Sequence, residues 1–206
     1  MSTVQTACPP FMDSQTHRNL QSACMGEVQA QQLYLHAARC MEDAHLHVIA
    51  HAFRFTAAQE KEHADIFRGL MTAHGGQPIL LADDLSLTLP REPLEILRAV
   101  LQSEHEEWDT LYPCSARIAA EEGYPRIAAA FHRIAETEQL HAQRFLRYLE
   151  ALSEGTLFRD DARVSWFCLP CGQLHTGHEA PAVCSGCGKD RGHFIRSSFF
   201  PFTVEG

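Results

Sequence analysis

The sequence predicts an all-α four-helix bundle followed by a small C-terminal metal-bound domain of β-strands and loops. Three observations support this fold class. The first three quarters of the 206 residues are rich in helix-forming Ala, Leu, Glu, Gln and Arg, and Gly and Pro interrupt them at few points. The helical segments carry Glu and His where an apolar face is expected, and the remainder of the chain contains two C-x-x-C pairs. We therefore place a helical domain at residues 1–154 and a second domain at residues 155–206.

Composition and charge exclude several classes of protein. Hydrophobic residues make up 45% of the chain and charged residues 21%, which is ordinary for a globular protein and excludes extended disorder. No apolar stretch is long enough for a transmembrane helix, and the first twenty residues lack the apolar region of a secretory signal. The net charge of −9 argues against a nucleic-acid or membrane partner. We therefore expect a cytoplasmic protein.

Gly and Pro residues divide the helical region into four helices. Gly75 and Gly76 end one helical run, and Pro93 lies at the start of the next. Gly123 and Pro125 mark a further boundary. Another break is placed near residues 44–48 because an uninterrupted helix up to residue 74 would be implausibly long. The predicted helices cover residues 16–44, 47–74, 92–122 and 125–152.

The connection between the second and third helices, residues 75–91, is long for neighbouring helices of a bundle. A single long crossover is typical of the ferritin-like topology, which we predict here. Pro113 lies inside the third helix and is expected to kink it, because proline lacks an N–H donor and its ring clashes with the preceding turn. Helical spacing on this helix also predicts that Leu111 faces the core.

Carboxylates interrupt the apolar face of every predicted helix near its middle, and twice an imidazole accompanies them. Unpaired carboxylates are almost never buried, because an unpaired charge in a protein core is costly. One Glu from each of two helices, with Glu-x-x-His from each of the other two, is the pattern of di-iron and di-manganese carboxylate bundles. The sequence therefore predicts a di-metal site. Its candidate ligands are Glu27, Glu60, His63, Glu104, Glu107, Glu138 and His141.

Other histidines are expected to lie outside this site. Glu42 and His45 repeat the Glu-x-x-His spacing, but eighteen residues separate His45 from Glu27, which is about 27 Å along a helix. We interpret this copy as chance at a helix end. His47 and His51 are four residues apart and could bind a metal ion, but they face away from Glu60. We therefore expect both to be exposed to solvent.

The C-terminal cysteines have the spacing of a metal site. Each of two C-x-x-C pairs is followed by Gly, and twelve residues separate the pairs. Four thiolates in tetrahedral arrangement suit zinc or a single iron ion, so a structural zinc ribbon remains an alternative. A redox di-metal site nearby favours iron, because such a site needs single electrons delivered to it. The candidate ligands are Cys168, Cys171, Cys184 and Cys187; Cys8, Cys24, Cys40 and Cys114 are expected to be reduced and unpaired.

These motifs together resemble the rubrerythrins, in which a ferritin-like di-iron bundle precedes a rubredoxin-like domain. The resemblance extends from residue 16 to about residue 198. Tyr34 and Tyr112 fall where the family places tyrosines that hydrogen-bond the ligand carboxylates. Ser185 and Gln173 depart from the family, which commonly has Pro and an aromatic residue at these positions. The segments that carry the resemblance are residues 26–30, 60–64, 104–108, 135–141 and 166–194.

The resemblance implies a peroxidase that reduces hydrogen peroxide to water in defence against oxidative stress. It implies two iron ions in the carboxylate site and one in the four-cysteine site, where zinc is possible in the isolated protein. Electrons would come indirectly from NAD(P)H through an external reductase or rubredoxin, and two chains would form a homodimer. His63 and Glu107 would exchange as iron ligands when the oxidation state changes, and Glu60 or Glu138 would relay protons.

Two other functions remain open at the level of sequence. Bundles of this kind also support ferrous oxidation and iron handling, although a ferroxidase passes electrons to oxygen and needs no attached donor site. The third possibility is a structural protein, in which zinc stabilises the fold and no reaction is catalysed.

Overall fold

The computed structural model of the chain describes residues 9–76 and 90–199. It confirms the four-helix bundle and the small C-terminal sheet. The third predicted helix is divided into α3 and α4 by a short turn, and every predicted helix end lies within one residue of the observed end. The predicted crossover, except for its ends, and Cys8 lie outside the described residues. No helix among residues 9–76 and 90–199 is long and apolar enough to cross a membrane. The helices are α1 (Gln15–Asp43), α2 (His47–Ala73), α3 (Pro93–Glu106), α4 (Tyr112–Glu121) and α5 (Pro125–Ser153).

Two apolar clusters fill the bundle, one on each side of a polar middle layer. One cluster contains the end of α1, the start of α2 and the end of α5, with Phe53 and Phe145 stacked at 4.6 Å. The other contains the start of α1, the end of α2 and the start of α5, with Phe67 and Phe131 at 5.0 Å. The carboxylates and imidazoles predicted as ligands lie in the sequence between these clusters on each helix. The core therefore encloses the polar layer from both ends of the bundle.

A π-helical turn, Glu107–Leu111, joins α3 to α4. The disruption expected at Pro113 takes this form, because a wider turn just before the proline relieves the clash between its ring and the preceding turn. The additional residue in the turn shifts the helical phase. Tyr112 is therefore buried and Leu111 is 52% exposed, so the prediction that Leu111 faces the core is wrong.

The C-terminal sheet has three antiparallel strands in the order β2-β1-β3. Trp166 on the central strand is fully buried and packs with Phe194 and Cys168. Ile195 belongs to the same apolar cluster as the end of α1 and the start of α2, so the sheet packs on that end of the bundle. The strands are β1 (Arg159–Cys168), β2 (Leu174–Glu179) and β3 (Phe194–Arg196).

The sheet domain contacts the short turn between α1 and α2. Gly192 lies so close to this turn that a Cβ atom on it would be 1.9 Å from the His45 carbonyl oxygen. His47 stacks on His193 with ring centroids 3.7 Å apart, and its side chain is only 20% exposed. The expectation that His47 is exposed is therefore wrong, because the docked domain covers it, whereas His51 is exposed as expected.

Candidate metal centres

Six side chains of the middle layer form two overlapping groups of metal ligands. All six are buried, and within each group the ligand atoms lie within 4.8 Å of one another. Glu60 and Glu138 belong to both groups, so their two-oxygen carboxylates are positioned to bridge two metal ions. The first group is Glu27, Glu60, His63 and Glu138, and the second is Glu60, Glu104, Glu138 and His141.

Each imidazole of the site is surrounded by three carboxylates. His63 Nδ1 lies 2.8 Å from Glu138 Oε1, 3.1 Å from Glu60 Oε2 and 3.8 Å from Glu27 Oε2. His141 Nδ1 lies 2.6 Å from Glu138 Oε2, 3.0 Å from Glu60 Oε1 and 3.6 Å from Glu104 Oε2. One ring nitrogen carries at most one proton, so it cannot donate to three acceptors.

Several ligand oxygens consequently have no hydrogen-bond donor. Among the described residues these orphaned atoms include Glu27 Oε2, Glu104 Oε2 and both carboxylate oxygens of Glu138. Buried carboxylates need a compensating positive charge. Metal ions bound octahedrally at about 2.0–2.2 Å from oxygen and nitrogen ligands bring neighbouring ligand atoms about 3 Å apart, close to the spacing around His63 and His141. The residues therefore fit two metal ions.

The pKa values of the site without metal reflect the same crowding of negative charge. Burial, together with neighbouring carboxylates, raises the pKa of Glu107 to about 10, and burial raises the pKa of Glu104 to about 7. Burial favours neutral imidazole, but the negative charge of the surrounding carboxylates raises the pKa of His63 to about 12 and that of His141 to about 11. Burial also opposes ionisation of Glu60, yet the two neighbouring histidines lower its pKa to about 2. In the metal-free site, protons bound to these side chains therefore compensate the negative charge that metal ions would otherwise compensate.

Two tyrosines, one in each apolar cluster, bind the terminal carboxylates, which are the two that belong to only one ligand group. Tyr34 Oη donates to Glu104 Oε1 at 2.5 Å, and Tyr112 Oη donates to Glu27 Oε1 at 2.5 Å. Both hydroxyls are buried, so each fixes one oxygen of its carboxylate and leaves the other oxygen directed at the site.

Glu107 lies outside both ligand groups. It occupies the first position of the π-helical turn and is only partly buried. Its pKa responds to Glu27, Glu104 and Glu138, so its carboxyl lies within electrostatic range of the site. The structure thus brings together six of the seven predicted ligands and holds the seventh at the edge.

A polar chain behind His141 was not predicted from the sequence. His141 Nε2 lies 3.1 Å from Gln59 Oε1, and Arg144 Nη1 donates to Gln59 Oε1 at 3.3 Å and to Thr56 Oγ1 at 2.7 Å. An acceptor at Nε2 places the ring proton there and leaves Nδ1 free for a metal ion. Helical phase could have indicated that these two side chains lie near the site. Gln59 directly precedes Glu60, and Arg144 lies one turn beyond His141.

The four predicted cysteines form a second, separate metal site in the sheet domain. Cys168 Sγ lies 3.5 Å from Cys187 Sγ, and Cys171 Sγ lies 3.7 Å from Cys184 Sγ. A tetrahedral ion with metal–sulfur bonds of about 2.3 Å requires sulfur–sulfur distances of about 3.8 Å, so the cluster fits a single ion. Cys171 and Cys187 are exposed, whereas Cys168 and Cys184 are buried.

Two glycines form the turns that close the four-cysteine site. Gly172 and Gly188 have φ values of +73° and +76°, in the left-handed region that favours glycine. Their N–H groups donate to the carbonyls of Cys168 and Cys184, at 2.8 and 2.9 Å. His175 on β2 was not predicted from the sequence: its Nε2 lies 4.0 Å from Cys184 Sγ and helps to lower the pKa of that thiol to about 6.

The fold and the two sites define a ferritin-like di-metal carboxylate protein with an attached four-cysteine domain. Comparison with known proteins identifies the family. A sequence model of the family Rubrerythrin matches residues 18–149 and 95–166. The rubrerythrin of Porphyromonas gingivalis is 35% identical over 181 residues, which cover 88% of this chain and 89% of that protein. The rubrerythrin of Clostridium perfringens is 34% identical over 182 residues, 88% of this chain and 93% of that protein.

Structural comparison agrees with the sequence comparison. A structure of nigerythrin in its fully reduced, all-ferrous state has a TM-score of 0.60 and 26% identity to this chain. The alignment covers 95% of this chain and 96% of nigerythrin, so it includes both the bundle and the sheet domain. The chain belongs to the rubrerythrin family.

Proposed function

We propose that the protein is a non-haem di-iron peroxidase that reduces hydrogen peroxide to water, with electrons supplied through an iron ion in the four-cysteine site. The observation that carries this proposal is the presence, in one chain, of two ligand groups bridged by Glu60 and Glu138 and of a separate four-cysteine site. The all-ferrous state of nigerythrin supports iron as the metal. Relatives named rubrerythrin support the activity class.

The reaction needs two electrons and two protons for each peroxide, and it yields two water molecules. The carboxylate site would hold two iron ions, which in the ferrous state would supply both electrons. The protein's own residues hold the site and supply protons. Tyr34 and Tyr112 fix the terminal carboxylates, and Glu60 or Glu138 relays protons to the leaving oxygen.

Glu107 has a distinct role in this proposal. It would replace His63 as a ligand of the oxidised metal, because the harder ferric ion prefers carboxylate to imidazole. Its place at the edge of the site, in a π-helical turn, supports this exchange, since such turns occur frequently at functional sites.

We also propose that the protein works as a homodimer and receives electrons from an external reductase or rubredoxin. The sheet domain packs on the α1–α2 turn, and α1 rises about 24 Å from Glu27 to its end at Asp43. A second chain could bring its four-cysteine site closer to the carboxylate site. Cys171 and Cys187 expose one side of the four-cysteine site to a donor.

The experiment that tests the proposed function combines metal analysis with rapid mixing of the anaerobically reduced protein. We expect three iron ions per chain and faster oxidation of the reduced site by peroxide than by oxygen. Oxidation that is faster with oxygen, with net uptake of added ferrous iron, would instead support a ferroxidase. A natively prepared protein with one zinc ion and no iron would support a structural bundle.

A further inference from the structure

We propose that His45, His47 and Asp190 form an additional binding site for a divalent transition-metal ion of the zinc class, which fastens the sheet domain to the turn between α1 and α2. These three residues lie outside the carboxylate and four-cysteine sites, and their ligand atoms lie within 4.8 Å of one another. They come from both parts of the chain, since Asp190 precedes β3 and the histidines flank Leu46. The proposal does not rest on the proposed peroxidase activity.

The geometry leaves a position for a cation between the three side chains. His45 Nδ1 lies 3.2 Å from Asp190 Oδ2, and His47 Nε2 lies 3.9 Å from the same oxygen. The second distance is too long for a hydrogen bond. A tetrahedral zinc ion with bonds of about 2.0–2.2 Å would separate its ligand atoms by about 3.4 Å, so small side-chain movements suffice.

Two of the proposed ligands are already oriented by their neighbours. Asp190 Oδ1 accepts from the Gly192 N–H at 3.1 Å and lies 3.0 Å from His193 Nδ1, which directs Oδ2 towards His45 and His47. The ring of His47 is held by its stack on His193. Outer hydrogen bonds of this kind are typical of metal ligands, because they fix the direction of the coordinating atom.

His45 occupies a backbone position that favours glycine. Its φ is +57°, immediately after the end of α1, where helices commonly end in a left-handed glycine. Gly192 packs against its carbonyl group, so the strained turn is also the point of contact between the two domains. A histidine here costs conformational energy that glycine would avoid, and in return it presents an imidazole to Asp190.

The charges near the site favour a cation modestly. The end of α1 places carbonyl dipoles near His45, while the start of α2 places N–H dipoles near His47, so the two helix ends oppose each other. Asp190 supplies the net attraction. The side chain of His45 is 78% exposed, so the site is open to solvent, and water completes the coordination.

The test uses the full, iron-loaded protein dialysed against Zn²⁺, with zinc and iron measured per chain. We expect one zinc ion beyond the metal already held, with no loss of iron. His45→Gly removes a ligand but suits the left-handed backbone, so it should fold at least as stably as the parent. It should weaken zinc binding at least about tenfold, since even outer partners of metal ligands contribute 10–100-fold. Asp190→Asn should weaken it similarly, and His132→Ala, at an exposed site on α5, should leave it unchanged.

X-ray absorption at the zinc edge gives an independent readout. Zinc at the proposed site should have only nitrogen and oxygen neighbours at about 2.0–2.2 Å, whereas zinc in the four-cysteine site would show sulfur at about 2.3 Å. Sulfur ligation, loss of iron in step with zinc uptake, absence of additional zinc, or unchanged zinc affinity in His45→Gly would each overturn the proposal. None of these outcomes bears on peroxide turnover, so the two proposals fail separately.

Discussion

Tyr112 donates a 2.5 Å hydrogen bond to Glu27 from the first position of α4, directly after the π-helical turn. The turn sets this contact, because a regular helix would have placed Leu111 rather than Tyr112 on the core side. Tyr34 makes the corresponding bond to Glu104 on the other side of the site. The two tyrosines thus fix both terminal carboxylates.

Replacing either tyrosine with phenylalanine removes a donor to a buried carboxylate without changing the packed ring. We expect Tyr112→Phe and Tyr34→Phe each to weaken ferrous-ion binding by about 10–100-fold. Competition with a chelator measures this affinity. Tyr124→Phe is the matched control, since its hydroxyl donates to the Pro9 carbonyl at 2.8 Å and not to a ligand. If Tyr112→Phe and Tyr34→Phe bind ferrous ions as tightly as the Tyr124→Phe control, the two tyrosines do not support the site.

The sequence predicted the helices and the clustering of six of the seven candidate ligands, because both depend on local periodicity. Burying Glu60 with His63, or Glu138 with His141, requires only that residues three apart share a helical face. The phase of α4 was predicted incorrectly, because Pro113 indicates a disruption of the helix but not the one-residue shift that a π-helical turn introduces. The exposure of His47 was predicted incorrectly for a different reason. The segment that covers its side chain, residues 190–195, lies far along the chain. His175 was missed because only strand pairing brings it to Cys184.

The proposed ligand exchange predicts opposite effects for two variants. Glu107→Ala should leave the reduced site assembled but slow its oxidation by peroxide, because the oxidised site loses the carboxylate that favours it. His63→Ala should weaken metal binding mainly in the reduced state. Chelator competition in both oxidation states, with stopped-flow oxidation, separates these effects. If the two variants behave alike in each state, the exchange does not occur.

The stability of the metal-free protein should depend on pH in a specific direction. The pKa values of His63 and His141 rise from 6.5 to about 12 and about 11 on folding, so their stabilisation is complete below pH 6.5 and declines above it. Glu107 retains its proton up to about pH 10, so its burial increasingly opposes folding above its ordinary pKa of 4.5. Glu60, with a pKa lowered to about 2, stabilises the fold above pH 4.5 and loses this contribution towards pH 2.

These three contributions place the greatest stability of the metal-free protein near pH 4.5, because Glu60 contributes fully above that pH, Glu107 opposes folding increasingly above it, and the histidines add to the decline above pH 6.5. Calorimetry in the presence of a chelator should show an unfolding temperature that falls from pH 6.5 towards pH 9. Glu107→Gln should reduce this fall, because it removes the ionisable group and keeps the volume. With metal bound, the fall should disappear, since the ions replace the protons. A flat profile in the metal-free protein would contradict the assigned protonation states.

The separation of the two metal sites predicts that peroxide is reduced at one site and that the other resupplies electrons. In the proposed mechanism the carboxylate site supplies all the ligands of the reacting pair, and two ferrous ions bound there would supply both electrons for one peroxide. The four cysteines belong to neither carboxylate ligand group, so in this proposal their site acts by resupplying electrons. Cys171→Ser or Cys187→Ser should therefore leave a single turnover of chemically reduced protein unchanged in stopped-flow measurements, at equal metal content of the carboxylate site. The same variants should abolish steady-state turnover driven by an external reductase.

A slower first turnover would show that the four-cysteine site takes part in peroxide reduction itself, and unchanged steady-state turnover would show that its role is structural. Cys114→Ser, which alters an exposed cysteine outside the cluster, is the control for loss of a thiol and should affect neither rate.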